Sequence, residues 1–501
     1  KDGQTPLFIA AQEGHEGFMK VLLERNDVNP NTVNQDGVTP LSVAVHEGHE
    51  GVVKILLEGR DVDPNTADKY GQTPLSIADR KGHEGVVKML LERRDVSPNT
   101  AGKCGQAPLL ISAQEGHEGF MKALLERNDV NPNTVNQHGL APLCAAAEEE
   151  YEGVVKMPLE QEDIGANTAD NCGPTPLFIA AREGHEGAVK MLLERGDVNP
   201  NTADKDGQTP LFIAAQEGHE GFMKVLLERN DVNPNTADQD GVTPLSVAVH
   251  EGHEGVVKML LERRDVNPNT ADKDGQTPLF IAAQEGHEGF TKVLLERNDV
   301  NPNTVGQDGV TPLSVAVHEG HEGVVKMLLE RRDVDPNIAD KNGQTPLFIV
   351  SREGPDGVAR MLLGRRDVNP NTADKYGHTP LFIVAWEGHE GVAKALLERN
   401  DLNPNTINEH GQTPLLIAAR KGHESVVKAL LERVGVNSDM ADLAGQTALS
   451  QALRHGYDGI VELLSEHRSS IPSLNGDGFA APSSPGLSNI DSRSSKRIRW
   501  L

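Results

Sequence analysis

A glycine ahead of a Thr-Pro-Leu-like turn recurs at positions 3, 37, 71, 105, 139, 173, 207, 241, 275, 309, 343, 377, 411 and 445. Every interval is 34 residues, with no insertion or deletion. A period of this size is the signature of a repeat architecture, in which one small unit is stacked many times. The 26 residues at 197–222 recur letter for letter at 265–290, two periods later. Residues 3–70, 207–274 and 275–342 are near copies of one block, so pairs of units were duplicated together.

One unit can be read as a physical object. Around Gly207, "DKDG" is a turn with glycine supplying a positive φ at its tip. Thr209 suits an N-cap and Pro210 the first helical position, where its missing N–H costs nothing. A short helix runs through "LFIAAQ" to Gly218. His219 and Glu220 open a second helix, with Phe222, Val225 and Leu226 at helical spacing. Asn230 is expected to take a left-handed C-cap. "DVNPNT" is extended, because Pro234 keeps the residue before it out of the helical region. Helices of about two to three turns are marginal alone in water. Their apolar faces must be covered by neighbouring copies, so stability is close to a sum of nearest-neighbour terms. An aliphatic and alanine core of this kind accounts for the aromatic content of 3%.

The bulk numbers narrow the function. A chain of 501 residues exceeds one ordinary core. A net charge of −27 argues against nucleic acid or an anionic membrane as the main partner. Three cysteines, Cys104, Cys144 and Cys172, make no disulfide framework and fit a reducing compartment, so a cytoplasmic location is expected. No apolar run is long enough to span a membrane. The chain begins inside a unit without an initiator methionine, and it reads as the C-terminal part of a longer protein.

The unit "GQTPLFIAAQEGHEG…LLERNDVNPN" resembles the ankyrin repeat, whose signature is turn, TPLH-x-AA, helix, GH, helix, LL. The resemblance recurs fourteen times over residues 1–468. It implies an all-α solenoid, on the order of 110–140 Å long at about 8–10 Å per layer. Three features depart from the pattern. The unit has 34 residues rather than 33, with the extra length in "NPNT". Phe8, Ser42, Phe212 and Phe280 stand where the family has its TPLH histidine. Glycine recurs just inside the second helix (Gly17, Gly51, Gly221, Gly255), where alanine would be better by about 1 kcal/mol. In style the array also resembles those at the C-terminal end of fungal NLR-like proteins that carry a NACHT-type nucleotide-binding domain.

No residue pattern supports catalysis or a cofactor. The histidines from His15 to His423 repeat at the same period, too far apart to share a zinc ion. They are expected to hydrogen-bond between turns. "DKDG" lacks a calcium-loop glutamate, since Ile213 stands six residues after Gly207. "GHEGVVK" lacks the phosphate-loop signature. No Ser/His/Asp or Cys/His constellation stands out of the periodic background. The expectation is a non-catalytic module without metal or cofactor.

The resemblance places partner contacts at the turn tips and the concave end of the first helix. Most such positions carry Lys, Asp, Gln or Glu. One unit breaks the monotony, with Tyr376, His378 and Trp386 all at contact positions, and Tyr70 with Arg80 form a lesser pair. Aromatic and arginine side chains are the usual anchors of an interface. A column of carboxylates precedes the linker glycine, Glu217, Glu251 and Glu387 among them, and predicts a protein partner with a basic surface. A passive scaffold or spacer is the alternative.

Residues 105–172 hold an expected weak point. Ala107 and Ala141 replace the N-cap threonine, Glu150 a linker glycine, Tyr151 the histidine, and Pro158 falls inside a helix. Residues 469–501 are rich in Ser, Pro and Gly and are expected to be disordered. They end in "KRIRWL", a short basic run that leaves a nuclear signal open.

Overall fold

The structure, a computed structural model, describes residues 4–470. Its regular secondary structure is all helical, with two antiparallel helices in each of the fourteen units. The last helix, Asp458–Ser470, continues just past the expected array boundary, and the remainder of the expected tail lies outside the described residues.

The caps of the first helix are as the sequence predicts in the Gly207 unit. Thr209 accepts a hydrogen bond from the Phe212 amide, and Pro210 opens the helix Pro210–Glu217. Gly218 closes it at φ +77°. The second helix is Glu220–Leu227, begun by His219. Leu211, Phe212, Ile213, Ala214 and Ala215 of the first helix are buried, with Phe222, Met223 and Leu226 of the second. The position after "TPL" is mostly phenylalanine or serine, with leucine at Leu110 and Leu416 and a cysteine at Cys144. Phenylalanine buries its ring there, as Phe212 does. Serine bonds to the capping threonine instead, at 2.9 Å for Thr39–Ser42 and 3.0 Å for Thr243–Ser246.

Successive first helices pack against each other more closely than successive second helices do throughout the stack. The array therefore curves with its first helices on the inner side.

Three side-chain ladders run between units and explain why so much of each unit is repeated. In the first, the linker histidine donates from Nε2 to a carbonyl at the end of the preceding unit's first helix. His219 reaches Arg182 O at 2.9 Å, His253 reaches Gln216 O at 2.8 Å and His321 reaches Gln284 O at 2.9 Å. The imidazole lies against the linker glycine of the preceding unit, where a Cβ on Gly218 would come within 2.5 Å of His253 Nδ1. That glycine is thus required twice, for its left-handed backbone and for the room it leaves.

The second ladder accounts for the extra residue. Asn235 donates from Nδ2 to Asp265 O at 2.6 Å and accepts from the Asn267 amide at 2.7 Å. Asn201 does the same to Asp231 and Asn233 in the unit before. The "NPNT" loop therefore carries a carboxamide that pairs with the backbone of the next loop as a strand would. At about 1 kcal/mol per net hydrogen bond, Asn235→Ala should destabilise that joint by about 1–2 kcal/mol. Nearest-neighbour coupling keeps the loss local. Hydrogen exchange should accelerate at the Asn267 amide and stay unchanged at that of Asn437.

The third ladder corrects the expected C-cap. Asn230 does not adopt a left-handed conformation; among the described non-glycine residues only Glu150 has a positive φ. The second helix ends instead with Glu228 in the right-handed region, and its free carbonyls are taken by an arginine from the following unit. Arg263 donates to Leu227 O at 3.1 Å and Arg229 O at 3.2 Å. Its guanidinium is held flat by a two-pronged pairing with Asp265, at 2.9 and 2.5 Å. Arg297 with Asp299 and Arg365 with Asp367 repeat the arrangement. A cation at a helix C-terminus is favourable, and it removes the need for a special backbone there.

These pairs predict a pH dependence. The arginine hydrogen bond holds Asp265, Asp299 and Asp333 below the usual carboxylate range. A depressed folded pKa adds stability that is present above the unfolded value of about 3.9 and is lost as pH falls through the folded value. The carboxylates are more than half exposed, so each contributes little. A triple variant, D265N/D299N/D333N, should melt below the wild type at neutral pH. The gap should close as the pH drops from about 4 toward 2.

The recurring glycine inside the second helix also has a neighbour. A Cβ at Gly255 would collide with the Glu220 carboxylate, which lies over the start of the next unit's helix. The carboxylate thus sits beside a helix N-terminus other than its own, where negative charge is favoured.

The Gly139 unit lacks these supports together. Ala107 and Ala141 make no capping bond at the two first helices of this region. Glu150 takes the linker position at φ +59°. Tyr151 lays its ring over Gly116, as the histidine would, but makes no hydrogen bond to the preceding unit. Pro158 lies inside Glu152–Leu159. Gln161 occupies the place of the ladder arginine, so the carbonyls of the preceding helix end receive no guanidinium. The asparagine ladder persists, with Asn133 Oδ1 accepting from the Gly165 amide at 2.7 Å.

Candidate interaction surface

The position before each linker glycine lies at the inner end of a first helix, and the glutamates there are exposed from Glu13 to Glu387. Some are paired along the surface. Arg182 meets Glu183 at 2.7 Å, and Arg352 meets Glu353 at 3.0 Å. Glu217, Glu251, Glu285, Glu319 and Glu387 have no ion-pair partner among the described residues. Unpaired carboxylates at one repeated position make a linear acidic column through the middle of the array.

At the C-terminal end the structure brings the predicted aromatic residues together. Tyr376 stands at a turn tip and is 39% exposed; Trp386, at the end of Pro380–Glu387, is 37% exposed. His378 lies between them. Its ring is 6.0 Å from that of Tyr376 and stacks on Phe382 at 4.6 Å, and Phe382 is 6.4 Å from Trp386. The Asp374 carboxylate fixes the imidazole at 3.3 Å and accepts the Tyr376 and His378 amides at 2.9 and 2.8 Å. In several units the same position builds the turn tip through an aspartate, as Asp204 does for Asp206 and Gln208, and in others through an asparagine, as Asn34 does for Asp36. The turn thus spends a carboxylate oxygen of Asp204 on local amides. Trp386 does not enter the core. Its indole lies on the surface, and its carbonyl accepts the His423 rung at 3.0 Å.

Four members of this patch are not singled out by the sequence. Phe382, fully buried, is the platform that joins His378 to Trp386. Lys421 Nζ stands 3.9 Å from the indole centroid and the Arg420 guanidinium 5.5 Å from it. Lys375 covers Tyr376 at 5.2 Å. Arg420 and Lys421 occupy, one period on, the positions of Trp386 and Glu387. That offset is the signal by which they could have been found.

The lesser pair is not brought together. Tyr70 is exposed beneath Lys69, whose Nζ lies 5.0 Å from its ring. Arg80 bonds across to Gln106 of the next unit at 2.8 Å.

One cluster departs from the expectation that no Ser/His/Asp constellation would stand out. Asp79 is buried at a position where other units carry an aliphatic residue. It accepts from Ser112 Oγ at 2.5 Å and faces His117 Nδ1 at 3.1 Å. The hydrogen bond to this carboxylate raises the His117 pKa. The geometry is not that of a hydrolase, because the Ser112 hydroxyl is fully buried and donates to the carboxylate rather than to the imidazole. It replaces the usual His-to-carbonyl rung with one to a side-chain carboxyl, whose own pKa burial pushes up. Its members lie 33 and 38 residues from Asp79, a separation that local motif reading does not cover. Cys104 and Cys172 are exposed and Cys144 is buried, all as free thiols.

A stack of near-repeating helical pairs, bound by side-chain rungs and bearing an irregular exposed patch, defines a helical repeat array. Family models for ankyrin repeats (three copies each) match overlapping segments that together run from residue 1 to residue 475, and the chain belongs to the ankyrin-repeat family. Such repeats generally mediate protein–protein interaction. A crystal structure of an ankyrin repeat protein is similar at 27% identity, covering 38% of this chain and 96% of its own, with a TM-score of 0.36. No curated protein matches the chain.

Proposed function

We propose that this chain is a non-catalytic recognition module that binds a protein partner across its inner face and turn tips. The aromatic run Tyr376–His378–Phe382–Trp386, exposed at Tyr376 and Trp386 and backed by the buried Phe382, carries this reading, since it occurs in one unit only of an otherwise monotonous array. Interface anchors are characteristically aromatic, and a free-standing Trp serves no packing need of the stack. The acidic column at Glu217, Glu251, Glu285 and Glu319 suits a basic surface on the partner and steers its approach. By the style of its repeats the chain is the cytoplasmic sensor arm of a larger, fungal NLR-like protein, whose nucleotide site would lie outside the array. Capture of binding proteins, followed by hydrogen-exchange mapping of each complex, tests the proposal. A recognition module shows protection over about residues 374–390 in the bound state. A passive spacer shows no partner whose binding depends on a defined patch.

A further inference from the structure

The acidic column ends at Glu387. One period later the same position is Lys421 and the position before it Arg420; a further period on they are His455 and Arg454. The inner face thus changes sign beside Trp386, against a whole-chain charge of −27.

Arg420 is half-buried, and burial lowers its pKa by more than the charge of Asp442 raises it. Neither Arg420 nor Lys421 has a carboxylate in contact among the described residues; both lie over the Trp386 ring. This contrasts with the ladder arginines from Arg93 to Arg399, each of which is clamped by its own aspartate. A guanidinium partly removed from water and lacking a counter-ion in contact favours an anion that can complete its hydrogen bonds, and a carboxylate does so in two-pronged fashion. The ring beneath the cations, with Tyr376 and His378 alongside, supplies an apolar and aromatic wall next to that charge.

We propose that the Trp386–Arg420–Lys421 patch binds an acidic linear segment of a protein, with carboxylates on Arg420 and Lys421 and an aromatic or aliphatic side chain against Trp386. This rests on the recognition-module reading and sharpens it. The partner is polar along its length, basic where it faces Glu217–Glu319 and acidic at the Trp386 end. That polarity fixes the direction in which it lies on the array, because reversing it would set like charges together at both ends.

The test uses the full chain carrying Trp500→Phe, which leaves Trp386 as the sole indole emitter. Three probes are titrated: a random glutamate–tyrosine copolymer, poly-lysine and polyuridylate. The copolymer should bind saturably and change the Trp386 emission. R420E/K421E should weaken that binding at least tenfold and leave poly-lysine binding undiminished. Lys421→Glu alone, at an exposed position, should weaken it in the same direction and serves if the double variant is misfolded by circular dichroism. Copolymer that does not bind, or binds both variants as it binds the parent, overturns the proposal. Polyuridylate binding more tightly than the copolymer through Arg420 and Lys421 overturns it in favour of a nucleic-acid patch. A chain that captures a protein in a Trp386-dependent way yet ignores the copolymer keeps the recognition reading and loses this inference.

Discussion

Amide hydrogens across residues 143–160 should exchange on the order of a hundredfold or more faster than those across 211–228. The two segments are the same part of the fold, and they differ in what holds them. Two first helices in this region lack their capping bonds, each worth about 1 kcal/mol. Pro158 removes a backbone hydrogen bond and crowds the preceding turn, at about 3 kcal/mol. Glu150 holds a left-handed backbone that glycine adopts without strain. The imidazole and guanidinium rungs to the preceding unit are both missing, so the joint on that side rests on the asparagine ladder and the buried core alone. Each 1.4 kcal/mol is a factor of about ten in the opening equilibrium, and exchange from a locally opening unit tracks that equilibrium. Cys144 gives a second readout. Burial pushes its thiol up to about 12, so it should resist alkylation until the unit opens. Restoring Leu at 158 and Gly at 150 (P158L/E150G) should slow both exchange and labelling toward the values of the regular units. Equal protection of the two segments in the wild type would refute this account of the unit.

What the sequence reveals and what it hides divide along a physical line. The interactions inside a unit are legible, because they follow from neighbours in the chain. Thr209 caps, Pro210 starts, Gly218 stops, and the defects at Ala141, Glu150 and Pro158 read directly as lost local bonds. The rungs between units are legible only where a single residue type repeats without an obvious local use, as the linker histidine does. Asn235 and Arg263 each have a ready role within their own loop, and their actual partners lie 30 to 36 residues away. Asn230 fails as a C-cap for this reason, since helix-end chemistry weighed within one unit misses a capping group that comes from the next. The candidate site shows the same limit. Tyr376, His378 and Trp386 stand out as departures from the repeat, whereas Arg420 and Lys421 acquire meaning only when the next unit is laid beside them.

The rungs and the patch together make the central claim: repeated residues bind unit to unit, and the residues that break the repeat bind the partner. On this account Trp386→Ala removes a side chain that caps no helix and fills no core, so thermal melting should fall only by what the Arg420 and Lys421 contacts with the ring contribute, about 0.5–1 kcal/mol each. Its carbonyl still accepts the His423 rung, because that bond belongs to the backbone. An aromatic anchor at an interface centre contributes about 2 kcal/mol or more, roughly a thirtyfold change in affinity. Rising salt should slow association without erasing this difference, since the acidic column governs approach and the indole governs residence. The most direct measurement is therefore the Kd of a captured protein for the Trp386→Ala chain against the wild type, with both melting curves recorded. The account predicts binding weaker by about thirtyfold or more with the array still folded and melting cooperatively; equal affinity of the two folded proteins would contradict it.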